Sequence, residues 1–109
     1  MLLSVPPFSV LSNHGLVLLC IADDPRARMR DLAAAVDITE RAAQRIVAEL
    51  IEYGYVTRTR EGRRNHYTVG ADVRLTLPTR RDIDLGSLLN VLVPPEASDE
   101  RRERVSAVR

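Results

Sequence analysis

Arg41, Gln44 and Arg45 stand close together in TERAAQRIVAELIEYG, residues 39–54. Their side chains can read nucleic-acid bases. A Gln amide matches adenine N6 and N7, and an Arg guanidinium matches guanine O6 and N7. Ala43, Ile46, Val47, Leu50 and Ile51 recur at helical spacing in the same stretch, which predicts a helix with one apolar stripe. The Arg and Gln residues fall largely off that stripe, near the helix N-terminus. Gln44 and Arg45 point differently around the helix, so one is expected at a base edge while the other, or Arg41, holds a phosphate. Ala42 shares this first turn. Thr39 is the expected N-cap and Gly54 the terminator. The alternative for these residues is an ordinary solvated helix face.

A second group of cations follows. Arg58, Arg60, Arg63 and Arg64 lie within one short stretch opposed only by Glu61, with Asn65 and His66 beside them. Such side chains suit phosphate oxygens, which set register without reading sequence. Their alternative is a charged hairpin kept soluble by its turn. Arg26, Arg28 and Arg30 alternate farther upstream and suggest a basic edge, although Arg30 can equally pair with Asp31.

Composition narrows the chemistry. The 109 residues suit one domain with a small aliphatic core, and there is no Trp and a single Phe. Stacking of single-stranded bases on aromatic platforms is therefore a poor expectation. All sixteen basic residues are Arg, and they nearly balance fifteen acidic ones, for a net charge of +1. Near-neutrality argues against a nonspecific, histone-like binder and shifts weight to local charge. The lone Cys20 lies in LVLLCIA, which reads as a packed thiol rather than a sensor; no internal disulfide can form. No CxxC, HxxxH or HExxH spacing and no glycine-rich phosphate loop occurs. No catalytic residue, metal or cofactor is expected. Met1–Val10 lacks a basic signal-peptide n-region, and Leu16–Ala22 is too short to span a bilayer, so a cytoplasmic, nucleoid-associated location is expected.

The supporting elements can be read around these groups. Met1–Leu11 is an apolar arm broken by Pro6-Pro7, expected to pack on the core or on a partner chain. Ser12 or Asn13 caps a very apolar first helix to about Asp23, stopped by Pro25. Arg30 or Asp31 opens a second helix through about Val36, with Leu32, Ala33 and Val36 inward. A turn of about three residues, with Asp37 in the left-handed position, leads to the helix after Thr39. From Tyr55 to Val69 the period changes to two, predicting a β-hairpin with Gly62 in its turn. Val73, Leu75 and Leu77 alternate as a short strand or extended segment. Asp82 or Asp84 begins a last helix to about Val93. Residues 94–109 form a charged tail, flexible or weakly helical.

Helix, helix, tight turn, helix and hairpin, with RDLA at residues 30–33, ITERAAQRIV at 38–47, LIEYGYV at 50–56 and RTREGRRNHY at 58–67, resemble winged helix-turn-helix bacterial transcriptional regulators, especially compact MarR-like and ArsR-like members. The resemblance spans Asn13–Val69. It implies an α+β fold with a three-helix core and a β-hairpin wing, to which this chain adds a C-terminal helix. It also implies that Arg41, Ala42, Gln44 and Arg45 face the major groove. It places Thr39 at the helix-opening hydroxyl and Arg63 and Arg64 at the wing tip, following the backbone or entering the minor groove, while charge and position alone add Arg28, Arg30, Arg58, Arg60, Asn65 and His66 as expected backbone contacts. Asp37 departs from the family's usual glycine.

The expected organisation is an arm over 1–11, a winged-helix domain over 12–77, a dimerisation helix over 82–93 and a tail over 94–109. Leu16, Leu19, Leu85, Leu88, Leu89 and Leu92 are expected at a homodimer interface; the alternative is a self-contained monomer. The partner expected is double-stranded DNA and the function a repressor on a palindromic operator; a small-molecule effector at the dimer seam stays open, with no polar cluster in the sequence to mark its pocket. A winged protein-interaction module and a nonspecific nucleoid protein are the competing readings.

Overall fold

The computed structural model describes residues 9–93. The arm before residue 9 and the tail from residue 94 lie outside the described residues.

Helix α1, Asn13–Asp23, begins where Gly15 N–H donates to Ser12 Oγ at 3.2 Å. Helix α2, Met29–Val36, starts slightly earlier than the sequence predicts. Its N-cap, Arg28, offers no side-chain acceptor. Asp31 acts from inside the first turn instead, with Arg28 N–H donating to its carboxylate at 3.2 Å. Helix α3, Glu40–Glu52, opens with Ala42 N–H donating to Thr39 Oγ1 at 3.0 Å.

Asp37 takes the left-handed conformation, φ 65° and ψ 50°, at the turn between α2 and α3. Ile38 N–H then reaches back to the Ala33 carbonyl at 2.9 Å. At the far end of α3, Tyr55 N–H donates to Leu50 O and Gly54 N–H to Ile51 O. This is a Schellman closure, and Gly54 supplies the positive φ, 85°, that it needs.

Strands β1, Val56–Glu61, and β2, Arg64–Val69, pair antiparallel from Val56↔Val69 to Glu61↔Arg64. Only two residues join them. Gly62 carries φ 61° and Arg63 does not turn positive, the pattern of a glycine-led type II′ hairpin. The outer edge of β2 is held too, because Tyr67 N–H donates to the Pro25 carbonyl at 2.9 Å.

A second hairpin follows. Strands β3, Arg74–Thr76, and β4, Asp82–Asp84, pair antiparallel. Of the two helix starts expected, Asp82 is corrected and Asp84 is the one found. The residues 82–84 are extended, and helix α4, Leu85–Leu92, begins only after its N-cap Asp84. Arg80 at φ 66° turns the loop. Leu85 and Gly86 N–H donate to the Val73 and Ala71 carbonyls, which fixes the start of α4.

One core joins these pieces. Val17, Leu18 and Ile21 of α1 meet Leu32 and Val36 of α2, Ile46, Val47 and Leu50 of α3, and Val56 and Tyr67 of the hairpin. Leu85, Leu89 and Val93 belong to the same cluster. The hairpin β3–β4 also crosses the expected boundary between residues 77 and 82. The C-terminal helix is therefore part of the folded unit and not an appendage. Three helices, a hairpin wing and this added β-hairpin–helix unit make a winged helix-turn-helix α+β fold.

Candidate nucleic-acid interface

Helix α3 presents two faces. Ala43, Ile46, Val47 and Leu50 are buried, while Arg41, Gln44, Arg45 and Ala48 are exposed on the opposite side. Ala42 is half-buried at the margin. Arg41 and Gln44 have no hydrogen-bond or ion-pair partner among the described residues. Arg45 Nη1 lies 3.7 Å from Glu49 Oε1, one helical turn on. Glu49 Oε1 also meets His14 Nε2 of α1 at 2.6 Å. Two residues of this surface escape sequence reasoning. Ala48 extends the outward stripe, but an alanine in a helix carries no chemical signal. Glu49 ties α3 to α1 through a residue 35 positions away, which no local pattern announces.

The wing arginines divide by what already engages them. Arg64 Nη2 donates to the Arg26 carbonyl at 2.7 Å. Arg26 in turn pairs with Glu61 across 2.8 Å. These two contacts bolt the hairpin to the connector between α1 and α2. Arg60 Nε donates within the turn to Gly62 O at 3.3 Å. Arg58 and Arg63 are exposed and without a partner among the described residues.

Two clefts follow from this packing. Arg28, Arg63, Arg64 and Asn65 border one of about 250 Å³ between the wing and the start of α2. Arg58, Arg60 and Asn65 line another, consistent with the register Arg58↔Tyr67 and Arg60↔Asn65 that puts them on one hairpin face. Arg30 is exposed in the first turn of α2. His66 sits apart from the wing tip, half-buried beside Ile21, Ala22 and Pro25. Thr39 spends its hydroxyl oxygen as an acceptor for the α3 cap.

Residues 12–57 match the winged helix-turn-helix DNA-binding family. No curated protein matches the chain. The match covers less than half of the chain. It runs from the cap of α1 into β1 and stops before the wing tip, so β2, the second hairpin and α4 lie beyond it. The winged helix-turn-helix segment thus contains α3 and its outward stripe in full.

Other groups bear on what the domain can do. Burial, followed by the negative charge of Asp23, pushes the Cys20 thiol up from its usual range. That keeps it protonated and unreactive. Among the described residues, no cluster of three His, Cys, Asp or Glu gathers to hold a metal, and no helix is long and apolar enough to cross a membrane. Of the six leucines expected at a dimer seam, Leu85 and Leu89 are only 2% and 8% exposed within the single chain. Their side chains are consumed by its own core. Leu16, Leu19 and Leu88 are half-buried and Leu92 is exposed, as is the neighbouring Val91.

Proposed function

We propose that this chain is a sequence-specific regulator of transcription, a homodimeric repressor of the compact MarR-like or ArsR-like kind that reads a palindromic operator. Helix α3 enters the major groove, where Arg41, Gln44 and Arg45 meet base edges and phosphates and Ala42 packs closely. Arg58 and Arg63 of the wing, with Arg28 and Arg30 at the start of α2, follow the backbone.

One observation carries the reading. Helix α3 is capped at both ends and buried along one side, yet its exposed side bears Arg41, Gln44 and Arg45, with Glu49 as the only side-chain partner of the three among the described residues. A face so firmly oriented and so little used internally is suited to an external acceptor. Two-fold assembly doubles the groove contacts, and repression follows from occluding a promoter, which needs no activating surface.

Genome-wide footprinting of the tagged protein tests this. Discrete sites with paired half-sites are expected. Gln44→Ala and Arg45→Ala should relax base preference by about 1–3 kcal/mol at the positions they read. Uniform binding without preferred sites would favour a nucleoid protein, and no DNA binding would favour a protein-interaction module.

A further inference from the structure

A cavity of about 510 Å³ opens between α1, the C-terminal half of α3 and α4. The proposed DNA-binding surface does not use it. Its size falls in the range that encloses a drug-sized organic molecule. Leu18, Leu50, Leu85 and Leu88 make its walls mainly apolar, and Tyr53 and Tyr55 stand at its border. Its polar rim is the hydrogen-bonded pair His14–Glu49.

The chemistry of this lining has a sign. Among the described residues, Glu49 is the only acidic or arginine side chain on it, and an anionic headgroup would meet that carboxylate. A cation finds an opposite charge there, and Tyr53 and Tyr55 on the same lining supply aromatic rings, whose faces favour positive charge through the ring quadrupole. We propose that the cavity binds an amphipathic organic cation, its apolar body against the leucines and its charge against Glu49.

Occupancy has a path to α3. The Glu49 oxygen that meets His14 on the cavity rim also lies 3.7 Å from Arg45 Nη1. A cation that takes over this carboxylate releases the Arg45 guanidinium to the solvent side of α3 and adds positive charge near it. Both effects favour an anionic partner, so the ligand tightens DNA binding. This coupling rests on the proposed DNA-binding role of α3; the cavity itself does not.

The test uses the full chain and a pair of probes with the same shape and opposite charge, tetraphenylphosphonium and tetraphenylborate. Tyrosine emission reports binding, because the chain has no Trp. Saturable binding of the cation is expected, at least tenfold tighter than the anion. Glu49→Gln, a change at a partly exposed side chain, should weaken the cation by tenfold or more and tighten the anion. Equal binding of both ions, or an unchanged Glu49→Gln variant, overturns the site. So does cation affinity that falls as protein concentration rises, since a second copy would then occupy the cavity. On a footprinted DNA fragment, the cation should tighten binding about fivefold, and DNA should tighten the cation by the same factor. An unchanged DNA affinity overturns the coupling. Failure to find any DNA site counts against the DNA-binding role, while the DNA-free titration still decides the cavity.

Discussion

Asp37 occupies a backbone region that L-residues enter at a cost of about 1–2 kcal/mol, although Asp tolerates it better than most. Nothing else at this turn demands a carboxylate: Asp37 is exposed, and the closing hydrogen bonds run through backbone from Asp37 and Ile38 to Ala33. Asp37→Gly should therefore raise stability by about 0.5–1 kcal/mol, and Asp37→Val should lower it by more than that. Urea unfolding of the two variants checks both signs. A gain for valine would mean that the turn relaxes out of the left-handed region. Asp84 behaves differently, because its carboxylate does titratable work. The Ser87 hydroxyl and then the Ser87 backbone N–H donate to it, which holds its pKa below the ordinary 3.8. A lowered folded-state pKa means stability that is present above the unfolded value and lost as pH falls through the folded one. The cap on α4 should thus weaken below about pH 4, whereas the uncharged Thr39 cap on α3 should not. In an NMR acid titration, the Ser87 amide shift should follow a carboxylate curve and the Ala42 amide should stay level.

At the scale of elements, the wing is more constrained than its charge count suggests. Arg64 and Arg26 are committed to each other and to Glu61, while Arg58 and Arg63 have no such engagement. Each phosphate contact contributes about 0.9 to the slope of log affinity against log salt. Arg63→Ala should then flatten the slope by roughly that amount and leave thermal stability alone. Arg64→Ala should chiefly loosen the hairpin from the connector, seen as faster exchange of the Tyr67 amide. Equal slopes for both variants and the wild type would remove the wing from the interface. The same elements show where sequence is legible. Helices α1 and α3 could be read because caps, apolar spacing and terminators agree in each. The wing could be read because its period changes to two around a glycine turn. The strand Asp82–Asp84 could not, since three residues with two carboxylates resemble a helix start and owe their extended form to pairing with Arg74–Thr76. The fate of Arg64 and Glu49 was equally hidden, because each is fixed by a partner more than thirty residues away.

For the whole molecule, the net charge of +1 leaves little long-range attraction to a polyanion, so affinity must come from contacts and from their duplication. One winged module covers a short stretch of duplex. With Leu85 and Leu89 committed to the core and Leu88 to the cavity wall, the outward remainder of α4 is Val91 and Leu92, and Val91 is 80% exposed. We propose that this surface, rather than the full set of leucines, forms the two-fold seam. A double change of Val91 and Leu92 to Arg leaves the core residues in place and puts two charges into that seam. It should convert a dimer to a monomer in sedimentation while circular dichroism stays that of the wild type. Its footprint should contract from two half-sites, centred about one helical turn or a multiple apart, to weak single contacts. Inserting half a helical turn between half-sites should cost the wild type most of its affinity, because the two α3 helices would then face opposite sides of the duplex. The monomeric variant should be indifferent to the same insertion. A wild-type chain that sediments as a monomer and ignores half-site spacing would show that the exposed valine and leucine serve some other contact.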